Sequence, residues 1–241
     1  MSTLVPDRAA APAGRWLPAL DFAPFRLSGT VYGALLNHRP QLLALGDEVH
    51  QPPYKAPPGA PVLAVMPRHT WASDGDPLAV PATEPGLEIG VALGIVLGRT
   101  ACRVAPSQAM ACVAGYLLLG EISLPLASHY RPAVRLRARD GFCPVGRRAL
   151  PAADVPHPDA LAARVHIDGR LEHESSTGER LRDVAHLIAD VCEFMTLQPG
   201  DVLSLGRSHG APLARPGQQV VIEIEGLGNS RHRVVAEGEG A

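Results

Sequence analysis

From Leu87 to Leu97 every odd position is a large aliphatic residue, while the even positions carry Glu88, Gly90, Ala92, Gly94 and Val96. A period of two predicts a β-strand with one face deep in the core. The small residues of the other face either let a neighbouring backbone approach or leave space for a ligand, and the pattern alone does not choose. Thr30–Leu36, Ala60–Met66, Tyr116–Ile122, Leu161–Ile167, Val202–Leu205, Val220–Glu225 and Arg231–Val235 read as further strands. Between them lie turn signals at 72–77 (ASDGDP), at Asp168-Gly169 and at Gly226–Asn229. Helical spacing is predicted twice. Pro106–Val113 has proline in its first turn and Gly115 beyond its end. In Leu181–Met195, the one long helix, Leu181, Val184, Ala185, Ile188, Val191, Cys192 and Met195 share a face. Many short strands and one long helix predict an α+β, mainly β roll.

Composition narrows the partners. With 241 residues and no internal repeat, the chain suits one large domain at 29–241, preceded by an Ala/Pro-rich extension, 1–28, flexible or loosely docked. A net charge of −2 gives no general attraction for nucleic acid or anionic membranes, so small molecules and protein partners remain. The four cysteines lack CxxC spacing and follow nothing resembling a secretion signal, which predicts reduced thiols in a cytoplasmic protein. No run approaches the ~18–20 apolar residues of a membrane span.

The candidate chemistry centres on 130–146, YRPAVRLRARDGFCPVG, with Arg131, Arg135, Arg137 and Arg139 ahead of an Asp-Gly turn. If its middle is extended, Arg135, Arg137 and Arg139 share one face. Guanidinium groups grip carboxylates with two prongs, so the segment is built to hold something acidic; the alternative is a solvated basic face. The 38–58 excursion, closed by prolines, has the character of a lid.

The order of landmarks resembles the fumarylacetoacetate hydrolase family over roughly residues 29 to 236. The landmarks are Lys55-Ala56-Pro57-Pro58, Ile95-Val96-Leu97-Gly98-Arg99, Val113-Ala114-Gly115-Tyr116, Asp140 to Gly146, Pro199-Gly200-Asp201 and Glu225-Gly226-Leu227-Gly228. LNHRPQL, PYKAPP, ISLP and YRPAVRLRARDGFCP resemble one branch, the N-terminal half or subunit of isomerase/decarboxylases of homoprotocatechuate (4-hydroxyphenylacetate) breakdown. The resemblance implies a mixed β-sandwich roll with one long helix and a small dicarboxylate substrate. In that branch two homologous halves decarboxylate 5-oxopent-3-ene-1,2,5-tricarboxylate and isomerise 2-hydroxyhepta-2,4-diene-1,7-dioate. The chain is accordingly expected to be an isomerase with associated decarboxylase activity, in a homo-oligomer or with a homologous C-terminal-type subunit. The alternatives are a non-catalytic partner of a metal-bearing homologue and a generic hydrolase of the family.

Departures from the family pattern bear on the cofactor. Metal-bearing relatives use Glu-x-Glu and a later acid to hold Mg²⁺ or Mn²⁺. Here the matching positions are Gly90, Ala92 and Glu121, so no metal is predicted. The His and Glu of the relatives' lid fall on Gln41 and Ala44. Glu121 and His38 are the catalytic candidates, Glu121 either shuttling a proton or pairing with an arginine. Tyr130, Arg131, Arg137, Lys55 and Ser208 are the substrate-binding candidates.

Overall fold

The computed structural model describes residues 20–126, 128–129 and 133–239. Its strands form two sheets. The larger has Val62–Pro67, Thr30–Leu35, Val202–Ser204, Leu87–Leu97, Val113–Ser123, Cys143–Pro151 and Trp71–Ala72 side by side, with Leu213–Ala214 added to Leu87–Leu97. The smaller runs Leu78–Val80, Gly228–Ala236, Gln219–Ile224, Ala162–Ile167 and Arg170–Ser176. The main core lies between them, where Leu87, Ile89, Val91, Leu93, Ile95 and Leu97 meet Val165, Val220, Ile222 and Val234. The helix Val184–Cys192 closes this layer with Val184, Leu187, Ile188, Val191 and Cys192. Each fully buried aliphatic side chain contributes about 1.5–3 kcal/mol of transfer free energy, so the strand's odd face is the main anchor of the fold.

A second apolar cluster covers the opposite face of the larger sheet and includes Val31, Met66, Trp71, Val96, Leu117 and Leu119. Leu20 and Leu27 are buried in it and Phe22 packs against it. The described end of the Ala/Pro-rich stretch is therefore docked, and residues 1–19 lie outside the described residues.

Three sequence expectations need correction. The long helix is shorter than its apolar periodicity, because Asp183 caps it by accepting a hydrogen bond from the His186 N–H at 2.8 Å. The first helix is a turn, Pro106–Ala109, followed by a 3₁₀ turn, Met110–Cys112, and Val113 already belongs to a strand. The arginine segment is not extended: Val134–Arg137 is a single helical turn, tied to the larger sheet's end by the Leu124 N–H donating to the Leu136 carbonyl. That turn separates the arginines. Arg137 is buried, Arg135 is exposed, and Arg139 pairs with Glu237 at 3.2 Å.

Candidate active site

At one end of the larger sheet the even face of Leu87–Leu97 turns from apolar to charged. The antiparallel register sets Gly90 opposite Glu121 and Glu88 opposite Ser123. Glu121 is fully buried and both its carboxylate oxygens are taken. Arg137 Nη2 donates to Oε2 at 2.6 Å, and the Ser204 hydroxyl donates to Oε1. A buried carboxylate is tolerated only when paired and hydrogen-bonded in this way. Burial pulls the Arg137 pKa down, against the opposing influence of Glu121. Of the two expectations for Glu121, a proton shuttle or a partner for an arginine, the structure shows the pairing, and with Arg137.

Beside them lies Arg207, which the sequence reading left out of the site. Its Nη1 donates to Ser123 Oγ at 3.0 Å and to the Glu121 carbonyl at 3.4 Å, and its Nη2 donates to Glu88 Oε2 at 2.5 Å. The side chain runs over Gly90 so closely that a Cβ there would stand 2.5 Å from Arg207 Cδ and 2.7 Å from the Glu121 carbonyl oxygen. Two neighbours leave no room for a side chain at Gly90, the crossing Arg207 side chain and the backbone carbonyl of the paired strand. Glu88 shares a strand face with Gly90, the one sequence signal that pointed to this pair.

Above this floor opens a cleft of about 200 Å³, lined by Gln41, Glu88, His129, Arg207, Ser208 and His209 among others. Ser208 is buried there, its hydroxyl 2.8 Å from His173 Nε2 and accepting from Ser175 Oγ at 2.9 Å. Burial lowers the His173 pKa, which favours a neutral ring. His129 Nε2 lies 3.3 Å from Gln41 Nε2; burial first, then the Arg207 and Arg137 charges, lower its pKa.

His38 does not line the cleft among the described residues. Its Nδ1 accepts from the His209 N–H at 2.9 Å, which puts the neutral ring's proton on Nε2, 3.4 Å from Glu179 Oε2. The ring therefore pins the 207–209 loop that carries three of the lining side chains. Lys55 is exposed on a neighbouring loop, but the hydroxyl of adjacent Tyr54 accepts from the His129 N–H at 2.8 Å and braces the cleft wall. Tyr130 and Arg131 lie outside the described residues.

The charge count around the floor is uneven. Arg137, Arg180 and Arg207 are buried, against the carboxylates of Glu121 and the partly buried Glu88. Arg180 donates to the Gly206 carbonyl at 2.9 Å and to the Ser176 carbonyl at 3.3 Å, and burial draws its pKa down to about 10. A third carboxylate, Glu179, acts on Arg180 but is exposed, so the excess of positive charge under the polar cleft belongs to the buried groups alone. An anion is the natural complement.

Known proteins share this framework. Over 213 residues the chain is 40% identical to the 4-hydroxyphenylacetate degradation bifunctional isomerase/decarboxylase of Salmonella dublin, covering 88% of this chain and 48% of that protein. The chain thus spans about half the length of the curated relatives of this name that it matches. A 2-hydroxyhepta-2,4-diene-1,7-dioate isomerase from Mycobacterium marinum superposes with a TM-score of 0.73 at 26% identity, over 88% of this chain and 77% of that one. Fumarylpyruvate hydrolase from Pseudomonas aeruginosa, solved with Mn²⁺ and pyruvate, shares the fold with a TM-score of 0.76 at 21% identity, over 95% of this chain and all of that one. Residues 30–235 match the fumarylacetoacetate (FAA) hydrolase C-terminal family model, and the chain belongs to that family.

Proposed function

We propose that this chain binds a short, conjugated dicarboxylate in the cleft over Arg207 and isomerises it, with 2-hydroxyhepta-2,4-diene-1,7-dioate as the substrate. The observation that carries the reading is the excess of buried guanidinium charge beneath a cleft furnished with hydroxyl and imidazole groups. The reaction needs little machinery. The O–H bond at C2 breaks, the two double bonds shift, and a C–H bond forms at C5, giving 2-oxohept-3-ene-1,7-dioate. In this reading neutral His129 takes the hydroxyl proton once the substrate displaces Gln41 from its ring nitrogen, and C5 takes its proton from solvent water, which His129 replenishes on returning to its neutral form. Ser208 and Arg207 orient the carboxylate and oxygen at the other end. Glu121 and Arg137 hold the floor's charge, and His38 holds the loop. Arg131, Tyr130 and Lys55 are kept as further substrate ligands.

In this reading the decarboxylation named for the relatives belongs to a homologous partner, in a cytoplasmic oligomer of the two. One observation favours a second reading, a non-catalytic partner: both oxygens of Glu121, the acid in the family's third ligand position, are already engaged. Incubating the purified chain alone with the dienol dioate and following its conjugated absorbance separates the two. Isomerisation is expected at a rate unchanged by EDTA. No turnover, with or without Mg²⁺, sinks the isomerase reading and leaves the partner role.

A further inference from the structure

The family's metal-ligand positions do not fit a metal in this chain. Two of the three, Gly90 and Ala92, offer no oxygen, and the third, Glu121, is saturated by Arg137 and Ser204. The space next to Gly90 is filled by the Arg207 side chain, and any residue larger than glycine there would strike it. A divalent ion beside this group would also meet a fixed positive charge with no added carboxylate to offset it.

We infer that Arg207 is a resident cation: its guanidinium takes over the anion-holding task that a divalent ion performs in metal-bearing members of the family, in the room that Gly90 leaves beside it. Three observations converge on this. Arg207 is 7% exposed, yet it lines the cleft. Its two terminal nitrogens are held in one orientation by Glu88, Ser123 and the Glu121 carbonyl. Its Nε–H is buried with no partner among the described residues, a donor whose cost an oxygen anion would remove. Positive charge also balances locally. Glu88 and Glu121 offset Arg207 and Arg137 within the floor, so what Arg207 offers a ligand is a fixed plane of donors whose charge is already stabilised. The group best suited is a planar oxygen pair, the carboxylate or the 1-carboxylate/2-oxo edge of a small 2-oxo acid.

The inference deepens the reading of the cleft as a dicarboxylate site and rests on it for the ligand's class alone. Binding of 2-oxoglutarate, followed by titration calorimetry without turnover, tests it on the full chain. Wild-type protein is expected to bind 2-oxoglutarate equally in EDTA and in Mn²⁺. Arg207→Gln removes the guanidinium and leaves Gly90 and its strand pairing untouched, and is expected to weaken binding about tenfold or more, the value of a charge-assisted hydrogen bond. Arg207→Lys, which retains charge without the planar fork, is expected to fall between them. Binding that appears only with Mn²⁺ overturns the inference, as does the absence of binding under both conditions. Unchanged affinity in folded Arg207→Lys overturns it too. Metal-free, Arg207-dependent binding in a protein that fails to isomerise the dienol supports the resident cation while removing the isomerase reading.

Discussion

The strand Leu87–Leu97 separates two interiors of opposite character. Its odd side faces a dry layer in which Leu87, Ile89, Leu93, Ile95 and Leu97 are wholly buried among other aliphatic groups. Its even side, at the Glu88 end, faces a floor in which Arg137, Glu121, Ser204, Arg207, Glu88 and Ser123 are joined by directed hydrogen bonds. On the dry side stability comes from area and shape, so one aliphatic group substitutes for another of equal volume at small cost. On the charged side each group is stable only while its partner is present.

The largest effect is expected from breaking the charged side. Glu121→Gln preserves shape but leaves the Arg137 guanidinium, 4% exposed, without its counter-charge. A loss of about 3–5 kcal/mol in denaturant unfolding is expected, the range for removing one partner of a buried pair. Adding Arg137→Met is expected to recover a large part of that stability, while binding of a dicarboxylate stays lost. A double variant no more stable than Glu121→Gln would mean that the pair carries no coupling, and the contrast between the two sides would fail.

Truncation on the dry side comes next. Leu93→Ala, at a fully buried position, is expected to cost about 2–5 kcal/mol through lost transfer energy and the cavity left behind. Dicarboxylate affinity per folded molecule should be unchanged, because Leu93 faces away from the floor. A loss of affinity comparable to that of the charged-side variants would show that the strand transmits strain between its faces.

The two sides also differ in how far the sequence revealed them. The dry side was legible because burial of one face writes a period of two into a single stretch, and the strand runs over the predicted residues, Leu87–Leu97. The helix was legible by the same logic at period 3.6, with only its ends misplaced, since Asp183 sets the start and hydrophobic spacing does not. The charged side was legible in part. Gly90 and Ala92 marked a cleared wall, and the missing carboxylates followed from the family pattern. What fills the wall did not follow. Glu88 and Arg207 are 119 positions apart, and a non-local pair leaves no periodic trace in a lone sequence. Nor does local spacing reveal that a run of alternating arginines will fold as a helical turn, because the choice is made by the Leu124–Leu136 hydrogen bond at the sheet's end.

The smallest expected effect concerns the loop that joins the two sides, and it is read through pH. His38 is 4% exposed, and burial first, then the Arg180 charge, lowers its pKa below the ordinary value near 6.5, although Glu179 pulls the other way. The folded state therefore holds the ring neutral, with Nδ1 accepting from the His209 N–H. As pH falls below about 6.5 the unfolded chain takes up a proton that the folded chain resists, so stability is full above that pH and falls until the folded pKa is reached. The slope for one such proton is at most about 1.4 kcal/mol per pH unit. His129, His173 and His232 are shifted in the same direction, while the Glu179 carboxylate, held below its usual range first by the Ser176 N–H, loses its contribution only at lower pH. His38→Asn keeps an acceptor for the His209 N–H but cannot titrate. Its melting temperature is expected to fall less steeply than that of the wild type between pH 7 and pH 5. Parallel melting curves would place the acid sensitivity in the other three rings and show that protonation of His38 does not loosen the cleft loop.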